Sequence, residues 1–343
     1  MRVLFDLKHP VDVHFFKDAI RILQSRGHRV LITSRAKDET EALLRRLGME
    51  HVCLSQMAEG VVGMGVELVW RTVRLIRRMR RFRPDVLVAK TGISIAWAGR
   101  LLNVPSIVFE DTEFAWLQVA LCAPFATVMC TGMGYGRRFP GKELRYRAPL
   151  HLAYTHPGRF TPDPDVLRAH GVAPEEPYVV LRVKAWRAVH DLGVSGPSEQ
   201  QLSRLVDKVA RHARPVISSE RGLPAGLEKY RNPVPVENAL DLLHFARLYV
   251  GEGSCMAAEA VCLGTPAVFL SPASRRGYLD ALEERYGVVV TVRTVAEAIE
   301  LTRRWATSPT PKRKAREARR RLIEECEDPV RFILRVVERY GGS

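Results

Sequence analysis

Short apolar runs rich in β-branched residues alternate with helix-period segments from the start of the chain, and this alternation limits the possible folds more than any other feature. Candidate strands are "RVLFDL" (2–7), "RVLITS" (29–34), "HVCLS" (51–55), "DVLVAK" (85–90), "SIVFED" (106–111) and "TVMCT" (127–131). Helical patterns fall between them at about 15–26, 38–48, 64–82 and 93–102. Strands that are nearly continuous apolar runs belong to a parallel sheet covered on both faces. The pattern breaks at 155–177, where five prolines suggest an interdomain linker around one short helix. It resumes with strands at 178–183, 214–219, 248–251, 266–270 and 288–292, and helices are expected near 198–213, 239–246, 275–286, 294–306, 310–326 and 328–340. At 343 residues the chain suits two cores. The expected fold is α/β, with two doubly wound Rossmann-like domains facing across a cleft. The first domain is 1–155, the linker 156–177 and the second domain 178–327, with a terminal helix in 328–343 packing back on the first. Ligands of such sheets bind beyond the carboxyl ends of the strands, so chemistry is expected in the loops that follow them.

No apolar run reaches the length of a membrane span, and "MRVLFDLKHP" lacks the cleavage site of a signal peptide. The six cysteines are scattered without a Cys-x-x-Cys pair, which suits buried thiols in a reducing cytoplasm. P-loop, zincin and α/β-hydrolase motifs are absent. A formal net charge of +15 points to an anionic partner.

The stretch "GEGSCMAAEAVCLGTPAVFL" (251–270) ends an apolar strand on two glycines and a serine before a helix begins. Bare N–H groups at such a helix start, reinforced by the helix dipole, form a phosphate site. Tight strand-to-helix turns also need glycine for ordinary reasons. Both readings stay open on these residues alone.

"ENALDLLHFARLYVGEGSCMAAEAVCLGTPAVFLS" (237–271) resembles the donor-nucleotide region of GT-B-fold sugar enzymes, especially the glycosyltransferase that makes lipid II, with Gly253, Glu259, Gly264 and Pro266 at matching positions. The resemblance implies Gly253 and Ser254 near a diphosphate, Glu259 on a ribose, and the Val236–Glu237 backbone beside the base. It also implies that Arg182 and Lys184, which follow the first strand of the second domain, hold the diphosphate. Together with "DLKHPVDVHFFKDAIRILQSRGHRVLITSR" and "YTHPGRFTPDPDVL", the chain looks like the prokaryotic family called domain of unknown function 354, whose architecture is similar to GT-B.

In the first domain, "KHPVDVHFF" (8–16) supplies His14, a candidate general base or acceptor contact, since imidazole titrates near neutrality. A histidine capping the helix is the bland alternative. "FEDTEFA" (109–115) ends a strand with Glu110, Asp111 and Glu113; clustered carboxylates there suit a catalytic role, though Asp111 and Glu113 could simply serve a helix start. "KTGIS" (90–94) adds a Thr-Gly turn suited to acceptor hydroxyls. "DPD" (163–165) is expected to cap a short helix rather than hold a metal.

In "VVGMGVELVWRTVRLIRRMRRFRP", Val66, Val69, Trp70, Val73 and Ile76 follow helical spacing, while Arg71, Arg74, Arg78 and Arg81 line another face. A solvated arginine face is the simpler reading; docking of 64–83 on an anionic membrane surface is the sharper one. Nucleic acid is not expected, because aromatics do not interleave the basic clusters.

The expected function is transfer of a glycosyl group from a nucleotide-sugar, a UDP-sugar first, to an acceptor glycan or lipid-linked glycan. The scheme calls for no cofactor and no metal, and places the protein in the cytoplasm or peripherally on the inner membrane face. A UDP-sugar 2-epimerase using "FEDTE" and His190 is the same-fold alternative. A non-catalytic nucleotide- or membrane-binding protein is the third.

Overall fold

A computed structural model of the chain describes residues 1–37, 39–113, 115–184, 197–271 and 276–342. It divides into two compact units, residues 1–154 with 327–343 and residues 155–326.

The first unit is built from β1 (Arg2–Leu7), α1 (Pro10–Ser25), β2 (Arg29–Ala36), α2 (Thr40–Arg46), β3 (Val52–Gln56), α3 (Gly60–Phe82), β4 (Val86–Lys90), α4 (Ile93–Leu102), β5 (Ser106–Glu110), α5 (Trp116–Cys122), β6 (Val128–Thr131), β7 (Glu143–Arg145) and α6 (Leu152–Thr155). Its seven-stranded parallel sheet has the order β3-β2-β1-β4-β5-β6-β7. The chain order reverses between β1 and β4, which makes the carboxyl ends of those two strands the switch point.

His9 caps α1, its ring accepting a hydrogen bond from the Val11 N–H at 3.2 Å, and Pro10 starts the helix. Val13, Phe16, Ile20 and Leu23 then fall at helical spacing and are fully buried. Phe15 meets Phe109 edge-on at 5.3 Å, and Phe109 meets Phe332 at 6.2 Å. Phe332 belongs to the last helix of the chain, which is part of this unit.

The sequence pattern misses α5 and β7. Both are short, and β7 is the three residues "ELR", too few to show a period.

The rotation of α3 leaves Arg74, Arg78 and Arg81 exposed, as expected, and corrects the expectation at one residue. Arg71, placed on an outward arginine face, is buried and ion-paired with Asp6 of β1. Its guanidinium also donates to the Ser34 carbonyl at 2.9 Å and the Ser55 hydroxyl at 3.1 Å. One turn earlier, Glu67 accepts from Arg35 at 2.7 Å and from Ser55 at 2.6 Å. The valine–tryptophan stripe is exposed at Val66, Val69 and Trp70. A buried carboxylate on the interior strand β1 left without Arg71 would cost several kcal/mol, roughly 3–5, which exceeds the gain from burying any one of those side chains.

The second unit runs α7 (Pro164–Ala169), β8 (Tyr178–Val183), α8 (Glu199–Ala210), β9 (Arg214–Ser219), α9 (Ala239–Phe245), β10 (Leu248–Gly251), α10 (Ser254–Cys262), β11 (Ala267–Leu270), α11 (Gly277–Tyr286), β12 (Val289–Val292), α12 (Val295–Ala306) and α13 (Thr310–Glu325). The five strands are parallel in the order β12-β11-β10-β8-β9, so the switch point lies between β8 and β10. Asp163 caps α7 by accepting from the Asp165 N–H at 2.9 Å, as its spacing predicts. The chain returns to the first unit with α14 (Pro329–Gly341), which packs on α1 and carries Phe332.

Candidate functional site

The two switch points, one in each unit, gather most of the predicted residues.

In the second unit, β8 ends at Arg182–Val183 and β10 at Gly251 beside it. A Cβ on Gly251 would lie 2.5 Å from the Arg182 carbonyl oxygen, so only glycine lets the two strands end this close together. The Glu252 N–H donates to that carbonyl at 3.1 Å, and its buried carboxylate accepts from the Lys184 N–H at 2.9 Å. Glu252 is therefore the fastener of the crevice, a role the sequence reading missed; a buried carboxylate between two glycines is the signal that could have found it.

Gly253 caps α10 without any side-chain bond. Its own N–H turns inward to the buried Tyr249 hydroxyl at 3.1 Å, and that hydroxyl donates to the Gly253 carbonyl at 2.9 Å. The Gly253 amide is thus taken up inside the turn, and the groups at the helix opening are the N–H groups of Ser254, Cys255 and Met256. The Arg182 stem lies 3.2 Å from where a Gly253 Cβ would sit. Its guanidinium donates to the Ser218 hydroxyl at 2.9 Å and pairs with Glu220.

Glu259 is half-buried and lies five residues beyond Ser254, about 7.5 Å along the helix. Val236 and Glu237 are exposed on a 3₁₀ turn leading into α9, which packs on α10. Arg187, His190 and Asp191 lie outside the described residues.

In the first unit, Thr91 follows β4 with φ of 49°, a strained choice for a β-branched residue that costs about 1–3 kcal/mol. Three contacts hold it there. Its N–H donates to the Phe109 carbonyl at 2.9 Å, its carbonyl accepts from the Lys8 ammonium at 2.5 Å, and its hydroxyl donates to Glu110 at 3.0 Å.

Glu110 ends β5 almost fully buried. It also accepts from the N–H groups of Asp111 at 3.1 Å and Thr112 at 3.0 Å. Burial and the neighbouring Asp111 charge push its carboxyl up to about 7, against the opposing pull of Lys90. Asp111 behaves differently. Burial would raise it, but Lys90 at 2.8 Å holds it below the usual carboxylate range. Neither acid caps a helix, since α5 begins only at Trp116 with Ala115 as its cap. Phe114 lies outside the described residues.

His151, which sequence reasoning missed, is fully buried close enough to Asp111 and Lys90 to feel both charges. Its ring meets Tyr154 at 6.3 Å, and Tyr154 meets His14 at 5.2 Å. His14 sits in the second turn of α1, with Nδ1 buried and no hydrogen-bond partner among the described residues. Burial and then Lys17 bring His14 down to about 4; burial does the same for His151. The structure therefore joins Glu110 and Asp111 directly, and links them to His14 by way of His151 and Tyr154. Lys90 could have been found by the argument applied to Glu110, since it too is a charge at the carboxyl end of a buried strand.

A pair of neighbouring carboxyls, one ionised and one near its midpoint at neutral pH, can accept and return a proton. The other crevice offers helix-start amides and a guanidinium, the chemistry of an anion site.

The model of the family described as "Protein of unknown function (DUF354)" matches residues 1–341. The chain belongs to this family. Among solved structures, the DUF354 chain is similar to a spinosyn rhamnosyltransferase complexed with thymidine diphosphate, with a TM-score of 0.64, 15% identity, and coverage of 98% of this chain and 100% of that one. It is similar to MurG of Acinetobacter baumannii, with a TM-score of 0.61, 16% identity, and coverage of 99% and 100%. It is also similar to the UDP-GlcNAc 2-epimerase of Methanocaldococcus jannaschii, with a TM-score of 0.64, 12% identity, and coverage of 99% and 100%. At these identities the likeness establishes the fold: the DUF354 chain has two Rossmann-like domains of the GT-B type. No described helix is long and apolar enough to cross a membrane.

Proposed function

We propose that the protein transfers a glycosyl group from a nucleotide-activated sugar, with a UDP-sugar as the first donor to test, to a hydroxyl of a glycan or lipid-linked glycan. The observation that carries this reading is the crevice between β8 and β10, where the opening of α10 and the Arg182 side chain meet at a sheet switch point. The N–H groups from Ser254 onward and the Arg182 guanidinium would take the negative charge of the departing diphosphate, and the scheme assigns that task to no resident metal. Lys184 would add charge at the same crevice. Glu259 would hold the ribose hydroxyls, and the Val236–Glu237 backbone would lie beside the base. In the first unit Glu110 would take the acceptor proton, with Asp111 remaining ionised against Lys90 and His14 contacting the acceptor.

Titration calorimetry with UDP tests the donor half. Binding is expected for the wild type, and a roughly tenfold loss for Glu259→Ala. Absence of UDP binding, or binding indifferent to both Glu259→Ala and Gly253→Ala, would overturn it.

A second reading is favoured by the Glu110 carboxyl, which can give a proton as readily as take one near pH 7. Elimination and re-addition of a nucleotide diphosphate by a UDP-sugar 2-epimerase needs such a group. Incubation with a UDP-sugar alone separates the two, because an epimer formed without acceptor would replace the transferase reading.

A further inference from the structure

The outward side of α3 has no part in the proposed sugar chemistry. The ion pairs Arg71–Asp6 and Arg35–Glu67 fix the rotation of the helix and leave Val61, Val62, Val66, Val69 and Trp70 in solvent, Val62 at 81% and Trp70 at 58% exposure. Each such side chain forgoes a burial gain of about 1.5–3 kcal/mol.

The exposure is concentrated. Among the described residues eleven large apolar side chains are exposed, and ten of them lie on or beside α3, α4 and α5. Met57 precedes α3, Leu101 is on α4, Trp116 and Leu117 open α5, and Phe125 follows it. Because α3 packs on α4 and α4 on α5, these helices form one layer. Apolar exposure gathered on one helix layer in this way marks an interaction surface.

Further along α3, charge replaces apolarity. Arg74, Arg77, Arg78 and Arg81 line a cavity of about 460 Å³ against β3. Val62, Val66, Val69, Trp70, Arg77 and Arg80 are all exposed and fall within roughly 100° of the helix circumference. Valines and a tryptophan beside phosphate-sized arginine clusters match the boundary between acyl chains and anionic headgroups. Nucleic acid fits less well, since valine offers a base no π-face to stack on. A second copy also fits less well, since a two-fold interface would set one arginine row against the other.

We propose that α3, flanked by α4 and α5, docks the protein on an anionic lipid bilayer, with the valines and Trp70 entering the interface and the arginines holding lipid phosphates. Vesicle flotation with the full chain tests this without reference to any turnover, so it can fail or succeed independently of the sugar-transfer reading. At low salt the protein should float with phosphatidylcholine vesicles containing phosphatidylglycerol and stay down with phosphatidylcholine alone. Trp70→Ser should weaken binding roughly tenfold, and Arg77→Glu with Arg81→Glu by at least as much. All three sites are exposed, so the thermal midpoint should hold within about 2 °C as a check on folding. No flotation with anionic vesicles, or flotation unchanged by both sets of substitutions, would overturn the proposal. So would a solution dimer dissolved by Trp70→Ser without vesicle binding, or polyuridylate binding lost on that substitution without vesicle binding.

Discussion

The Glu110 carboxyl is held near its midpoint at neutral pH by burial, and this has two measurable consequences. A folded value near 7 against an ordinary 4.5 means that, between those limits, the native state keeps a proton the unfolded state has lost. Stability therefore falls as pH rises through that window, by on the order of 3 kcal/mol. Glu110→Gln should remove this slope in urea titrations and lower turnover by about 10²–10⁴-fold. His14 and His151 act in the opposite sense. Each has a folded value near 4 against 6.5, so each stabilises the protein at neutral pH and loses that contribution as pH falls from 6.5 to 4. The double substitution His14→Gln with His151→Gln should flatten the acid limb of the same titration. Glu110 and Asp111 were legible in the sequence because carboxylates closing an apolar strand stand out. His151 was not, because a lone histidine in "PLHLAYT" has no local pattern; its neighbours come from distant strands.

At the scale of single elements, α10 and α3 were each legible in part. The turn into α10 was legible, since glycines between an apolar strand and a helix have few uses. Which amides it presents was not, because the Tyr249 hydroxyl that claims Gly253 lies four residues back across a turn. The steric demand at Gly251 predicts that Gly251→Ala will lower stability by about 1–3 kcal/mol and loosen nucleotide binding, measurable by thermal unfolding with and without UDP. In α3 the arginine spacing was read correctly at Arg74, Arg78 and Arg81 but not at Arg71, because the helix orients by two ion pairs whose partners, Asp6 and Arg35, are remote in sequence. Arg71→Met should therefore cost about 3–5 kcal/mol, far more than removal of an exposed arginine such as Arg78, and Asp6→Asn in the same chain should recover part of it.

Over the whole molecule, strand–helix alternation was enough to give two parallel sheets, since a parallel connection leaves little topological freedom. The three-residue β7 and the seven-residue α5 were lost because each is too short for its period to repeat often enough to stand out. The first unit is discontinuous, its aromatic cluster being completed by Phe332 of α14 against Tyr146 at 5.0 Å. That arrangement sets an order of events on the ribosome. Residues 155–326 are consecutive and can collapse as soon as they leave the exit tunnel, whereas the amino-terminal sheet, synthesised first, keeps one flank uncovered until the closing helix arrives. The portion made earliest is thus finished last, with Phe109 and Tyr146 lacking their Phe332 partner until the final residues emerge.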